Sequence, residues 1–177
     1  MYVVDIENFR VQVFDRSQKC IRTWSFEPDP AKGLSISLSP DADRIYVSDS
    51  GNYRIMVYDR KGKLLKSWGH PGRLDTDFAW QFDVLAGKGD FVYVSDTEAN
   101  SIKKFDKDGK FISKWGSWGT EKGQFYKPKG LDQSDDGSIY VLDFGNHRGQ
   151  IFTADGTFKS MFGVGMDYTK PPSQASK

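Results

Sequence analysis

The sequence predicts an all-β fold built from repeated four-stranded antiparallel sheets, and three observations predict it. A Tyr-Val-x-Asp unit recurs at Tyr2–Asp5, Tyr46–Asp49, Tyr93–Asp96 and Tyr140–Asp143, with its aspartates 44, 47 and 47 residues apart. A period of that length marks stacked blades or helical arrays. Each copy is written in short runs rich in Ile, Val and Tyr, separated by polar turns, which is strand chemistry and not helix chemistry. Aromatic residues make up 15% of the 177 residues, which suits sheets packed face to face.

The elements follow in order within each unit. A run such as Arg44-Ile45-Tyr46-Val47-Ser48 leads into the aspartate, and a polar turn joins it to a second run such as Arg54-Ile55-Met56-Val57-Tyr58. Nine residues after the aspartate stands an aromatic, Phe14, Tyr58, Phe105 or Phe152. The next position is Asp15, Asp59 or Asp106, replaced by Thr153 in the last copy. The turns Asp59-Arg60-Lys61-Gly62, Asp106-Lys107-Asp108-Gly109 and Thr153-Ala154-Asp155-Gly156 supply a glycine for the positive φ of a tight hairpin. A further strand follows, as in Lys63–Trp68 and Lys110–Trp115, closing nineteen residues after the aspartate on Trp24, Trp68, Trp115 or Phe162. One more short strand, Lys129-Gly130-Leu131-Asp132, precedes the turn Asp135-Asp136-Gly137. Four antiparallel strands per period make a β-propeller blade. The expected units are 1–25, 33–69, 80–116 and 128–163, three whole blades plus the later strands of one before them. The polar, Pro- and Ser-containing stretch 164–177 is expected to be a linker or disordered tail.

The stretch from Gly123-Gln124-Phe125-Tyr126-Lys127-Pro128 through Asp136-Gly137-Ser138-Ile139-Tyr140-Val141-Leu142-Asp143 to Asn146-His147-Arg148 and Phe162-Gly163 closely resembles one full NHL repeat. Asn8 and Arg10 in the first unit, and Asn52 and Arg54 in the second, carry the same pair. The third unit has Ala99 and Ser101 there, so that blade lacks the pair. No Trp is followed by Asp and no two glycines are adjacent, which sets aside the WD and kelch patterns. The Tyr-Trp-Thr-Asp receptor propellers are a minor alternative. NHL propellers resemble rings of six blades, so the resemblance implies that about two blades are missing. Either the chain is a fragment, the favoured reading, or chains associate through open blade edges to complete a ring.

Charge and composition restrict function. With 25 Lys and Arg against 24 Asp and Glu, the net charge is +1, and no overall field draws nucleic acid or membrane. A single cysteine excludes an internal disulfide and a Cys-based metal cluster. Cys20 falls where other copies carry Leu64, Phe111 and Phe158, and is expected in the core. The given sequence shows no signal peptide and no apolar run long enough for a membrane span, and compartment is not legible.

In an up-and-down blade the turn between the second and third strands lies at the same end as the connection to the next blade. That end gathers Ile6–Phe9, Ser50–Tyr53, Thr97–Asn100 and Phe144–His147 with the loops His70–Trp80 and Ser117–Tyr126. Four residues after each aspartate stand Phe9, Tyr53, Asn100 and His147, different side chains at one fixed place, as recognition requires. With Trp80, Trp118, Tyr126 and Lys127 they form the expected partner-binding set, Trp80 and Trp118 being the leading contacts. Phe9 and Tyr53 serve equally well as covers for the barrel of strands. Arg10, Arg54 and Arg148 are expected to pair structurally with the strand aspartates. No catalytic residue, metal ligand or cofactor is assigned. Two histidines, His70 and His147, do not make a histidine-rich zinc site, and a calcium site at Asp83 or Asp132 has no spacing motif behind it. Protein binding or assembly is therefore the expected function. The alternatives are RNA binding through the lysine-rich third unit (Lys103, Lys104, Lys107, Lys110, Lys114, Lys122, Lys127 and Lys129) and a fragment of a metal-dependent propeller enzyme of lyase or lactonase type.

Overall fold

The computed structural model describes residues 1–26 and 33–163, and the expected tail 164–177 lies outside the described residues. Among the described residues fifteen strands form four antiparallel sheets. The first has three strands, β1 (Tyr2–Asp5), β2 (Arg10–Phe14) and β3 (Cys20–Ser25). The second contains β4 (Gly33–Leu38), β5 (Arg44–Asp49), β6 (Arg54–Asp59) and β7 (Leu64–Trp68). The third contains β8 (Gln81–Gly87), β9 (Phe91–Asp96), β10 (Ser101–Asp106) and β11 (Phe111–Trp115), and the fourth β12 (Pro128–Gln133), β13 (Ile139–Asp143), β14 (Arg148–Phe152) and β15 (Phe158–Phe162). Neighbours in sequence are neighbours in each sheet, so every sheet is an up-and-down blade. The molecule is a partial β-propeller of about four blades. Among the described residues no helix is long and apolar enough to cross a membrane.

The blades stack through alternating side chains. One face of β5 and β6 sends Ile45, Val47, Met56 and Tyr58 toward the first blade's Val11, Tyr2 and Trp24. The other face sends Tyr46, Ile55 and Val57 toward Val92, Val94 and Phe105 of the third. The same division recurs between Tyr93 and Ile102 on one side and Ile139, Val141 and Phe152 on the other. The period of two along each strand is what gives every blade two apolar faces.

Each junction is also fastened at its outer edge. Trp24, Trp68 and Trp115 lie on the hairpin glycines of the next blade, Gly62, Gly109 and Gly156, where an added Cβ would stand 2.4–2.7 Å from indole carbons. These glycines have φ of +82° to +90°, so they satisfy the turn and the close approach together. The hairpin aspartates organise the same turns. Asp15, Asp59 and Asp106 each accept backbone N–H groups two and four residues on through Oδ1, and in the fourth blade Thr153 Oγ1 accepts the N–H of Thr157 at 3.0 Å. The hydroxyls of Tyr46 and Tyr93 donate across the junctions to the carbonyls of Lys107 and Ala154, both at 3.2 Å. Burial pushes the Tyr93 phenol up to about 12.

Two expectations are corrected. Cys20 is exposed and not in the core, because its slot opens the outermost strand beside the hairpin, where Leu64 is also 38% exposed. Lys103 and Lys104 are buried at 3% and 7%, which removes them from any basic surface. Lys104 Nζ lies 3.7 Å from the centre of the Phe91 ring and donates to the Ala154 carbonyl at 2.9 Å, and burial lowers its pKa.

Asp83, on the strand nearest the axis, ties three blades together. Its carboxylate accepts from the Ser35 hydroxyl of the second blade and from the Leu131 N–H of the fourth, at 2.7 Å, besides its neighbour Val84 N–H at 2.9 Å. Burial raises its pKa against these hydrogen bonds. A carboxyl raised on folding stabilises the fold fully below its unfolded pKa, and that stabilisation is lost as pH rises through the folded value. Asp83→Asn is therefore expected to gain stability relative to the parent chain between pH 4 and pH 7, read from urea midpoints at both. A difference that does not change with pH would refute the raised value.

Candidate functional site: the top face of the blades

The strand aspartates build this face. Asp49 accepts from Arg54 Nε at 2.7 Å and Asn52 Nδ2 at 3.0 Å, and Asp143 from Arg148 Nε at 2.7 Å and Asn146 Nδ2 at 2.9 Å. Asp5 receives Arg10 and Asn8 in the same way, both at 2.8 Å. The arginines therefore act as structural partners. The third blade keeps the ion pair by another route. Lys103, two positions beyond the arginine slot and on the same face of the strand, places Nζ 2.9 Å from Asp96 Oδ2. It also donates to the Asp77 carbonyl.

The aspartates then hold the loops that arrive from the preceding blade. Asp96 accepts the N–H groups of Ala79 and Trp80 at 3.0–3.2 Å, and Asp143 that of Tyr126 at 2.8 Å. Beyond them, Phe78 and Phe125 are fully buried and lie against Gly69 and Gly116, whose φ values are +103° and +94°. Arg148 carries the clamp further in the fourth blade. Its Nη1 donates to the Thr120 carbonyl at 2.6 Å, and Nη2 to those of Glu121 and Gln124 at 2.8 and 3.0 Å. Asn146 donates to the Gly119 carbonyl at 2.9 Å and Gln150 to that of Gln124 at 2.6 Å. The loop from Ser117 to Phe125 is thus stitched to buried polar side chains along its length.

The side chains at the recurring slot share one backbone state. Phe9, Tyr53, Asn100 and His147 all have φ of 51–56°, in the left-handed region. Each closes a one-turn loop by donating its N–H to the residue three before, Ile6, Ser50, Thr97 and Phe144 respectively. Two of the four pair with the connecting loop of the next blade. Tyr53 meets Trp80 edge to face, with ring centroids 6.1 Å apart, and Asn100 Oδ1 accepts the Lys127 N–H at 2.9 Å. Lys127 Nζ lies 3.6 Å from Glu98. Phe9 is at the edge of exposure, and His147 is exposed. The eight expected contact residues are therefore spread along the arc and do not converge on one point.

Trp118 and Tyr126 do converge. Trp118 is 73% exposed and Tyr126 42%, and with Gly119, Thr120 and Asn146 they line a cleft of about 290 Å³. Gly145 permits the approach, since a Cβ there would stand 2.4 Å from Tyr126 Cδ1. Phe144 belongs to the same face and was not among the expected residues. It is 47% exposed, and Lys129 Nζ sits 3.7 Å from its ring centre and 5.1 Å from that of Phe82. The repeat carried no clear signal for it. Phe144, like Ile6 of the first blade, stands where Ser50 and Thr97 donate to carbonyls of the next blade, Gln81 and Pro128, a bond that a phenyl ring cannot make. Among the described residues no three of His, Cys, Asp or Glu are grouped as a metal would need.

Comparison with known proteins bears on this frame. Residues 125–152 match the family model of the NHL repeat, the segment that carries Asp143, Asn146, Arg148 and Gln150. No curated protein matches the sequence. A catalytically inactive virginiamycin B lyase from Staphylococcus aureus, solved with quinupristin, superposes with a TM-score of 0.72 at 12% identity, over 93% of this chain and 52% of the lyase chain. Hydrazine synthase of Kuenenia stuttgartiensis gives 0.68 at 16% identity, over 90% of this chain and 44% of that one. A protein of unknown function from Bacteroides caccae gives 0.64 at 14%, over 91% and 56%. The chain thus spans about half the length of these structures, and at such identities the likeness is one of fold. The chain is a partial β-propeller whose fourth blade carries an NHL repeat.

Proposed function

We propose that the chain is a protein-binding propeller segment that engages its partner through the top face, centred on Trp118 and Tyr126. The observation that carries this is Trp118, an indole 73% exposed on a loop that Arg148, Asn146 and Gln150 hold in place. Large aromatics that are exposed on a rigid support lose little conformational entropy on binding, and such residues dominate interface energetics. Tyr126, Phe144 and the Tyr53–Trp80 pair extend the surface along the arc. RNA binding is less well supported than protein binding, because Lys103 and Lys104 are buried and Lys127 faces Glu98. An enzymatic role of lyase type would rest on the likeness to virginiamycin B lyase, and 12% identity over half its length carries fold alone.

A random peptide display library panned against the immobilised chain tests the proposal. It is expected to yield enriched sequences whose affinity falls roughly 30-fold in Trp118→Ala, the loss that truncation of a hot-spot residue produces. The melting temperature of the variant should match the parent, since the indole is exposed. No enriched sequence, or enrichment indifferent to both Trp118→Ala and Tyr126→Ala, would overturn it. Binding to an RNA pool that falls steeply with salt would favour the RNA reading instead.

A further inference from the structure

The walls of the Trp118–Tyr126 cleft narrow the chemistry of what it can take. The chain around it has already committed its backbone groups. Gly119 donates its N–H to the Phe125 carbonyl at 3.0 Å, and Tyr126 donates its own to Asp143 at 2.8 Å. The carbonyls of Gly119, Thr120 and Tyr126 accept from Asn146 Nδ2, Arg148 Nη1 and the Gly145 N–H, at 2.9, 2.6 and 2.7 Å. An arriving β-strand therefore finds no open row of main-chain donors and acceptors to extend. What remains are donors carried by aromatic rings, the indole N–H of Trp118 and the hydroxyl of Tyr126, and neither bonds to a described residue. We infer that the cleft takes a proline-rich segment of the partner in the extended polyproline II conformation. This rests on the protein-binding reading of the same site and names the class of ligand.

Hydrogen-bond complementarity selects this ligand over the other forms a peptide can take. A polyproline II segment makes no internal hydrogen bonds, so its carbonyls are free to accept from Trp118 and Tyr126. Its prolines carry no N–H, so none is stranded against a rim whose carbonyls are already taken. The pyrrolidine rings supply the apolar surface that an indole and a phenol ring can cover. An amphipathic helix closes its carbonyls within its own backbone, which would leave both ring donors unmet. Rigidity agrees on both sides of the contact. The polyproline II helix is preformed, and the loop that presents Trp118 is held by Arg148 and Asn146, so little conformational freedom is lost when they meet. Asn146 Oδ1 and the Thr120 hydroxyl also border the cleft, where they can accept from a residue that flanks the prolines.

Nuclear magnetic resonance of the indole N–H groups tests this, because the chain has 5 tryptophans and each gives its own signal. The probe is acetylated and amidated decaproline, titrated against the 177-residue chain, with a Gly-Ser peptide of equal length as the reference. The Trp118 signal, identified by its loss in Trp118→Phe, should move with decaproline and not with the Gly-Ser peptide. That of Trp115, whose N–H is buried, should stay in place. Tyr126→Phe removes one donor and keeps the ring, and should weaken binding roughly fivefold, the worth of one neutral hydrogen bond. Trp118→Ala should abolish it, with thermal melts showing that both variants remain folded. A Trp118 signal that does not move at millimolar decaproline, or that moves equally with the Gly-Ser peptide, would overturn the inference, as would an affinity indifferent to both variants. The panning experiment separates this failure from that of the reading beneath it. Enriched sequences that depend on Trp118 but carry no proline would overturn the ligand class alone, whereas no enriched sequence together with an unmoved Trp118 signal would overturn both.

Discussion

Gly109→Ala is expected to lower the stability of the chain by about 3 kcal/mol, through left-handed backbone strain and overpacking together. Gly109 has φ +82°, and the new Cβ would stand 2.4 Å from Cδ2 of Trp68. Trp68 in turn packs on Phe105 with ring centroids 6.1 Å apart, so the indole has little room to withdraw. Gly123 provides the control. Its φ is +76°, but nothing lies within 4 Å of the Cβ position, so Gly123→Ala carries the backbone term alone, about 1 kcal/mol. Urea denaturation measures both. Equal losses would show that the indole does not depend on the hairpin glycine, and the fastening between blades would have to be sought elsewhere.

Lys103→Met should cost about 3–5 kcal/mol, the penalty for stranding one charge of a buried pair. Asp96 is fully buried, and without Lys103 it keeps only the N–H groups of Ala79 and Trp80. Most of the loss should return on adding Ser101→Arg, because residue 101 occupies the slot of Arg54 and Arg148. Failure of the double variant to recover would mean that the third blade has diverged around its lysine beyond the reach of the common geometry.

The repeat made the blades legible because each recurring residue has a recurring physical task. The strand aspartate receives the loop, the hairpin aspartate caps the turn, and the indole meets the next glycine. What escaped the sequence lies where one task passes to a different position. Lys103 reads as a surface lysine until strand alternation places it on the aspartate's face. Cys20 reads as core by alignment with Leu64, Phe111 and Phe158, although Leu64 is itself exposed and the two phenylalanines are only partly buried. The site was legible to the level of its loops: Trp118 and Tyr126 lie on the expected end of the blades, and their convergence depends on Arg148, which had seemed only a partner for Asp143. Phe144 was missed because its slot varies without pattern, holding Ile6, Ser50 and Thr97 in the other blades.

The central claim is that the top-face aromatics stand on a loop held rigid by buried polar groups, and native-state hydrogen exchange tests it most directly. The N–H groups of Gly119, Glu121, Gln124, Phe125 and Tyr126 all donate within the clamped loop or to Asp143. They are predicted to exchange nearly as slowly as the strands β13 and β14, and to lose that protection in Arg148→Lys while those strands keep theirs. Exchange of these amides at the rate of an unstructured peptide in the parent chain would contradict the account, since Trp118 would then be presented by a mobile loop and not by the propeller frame.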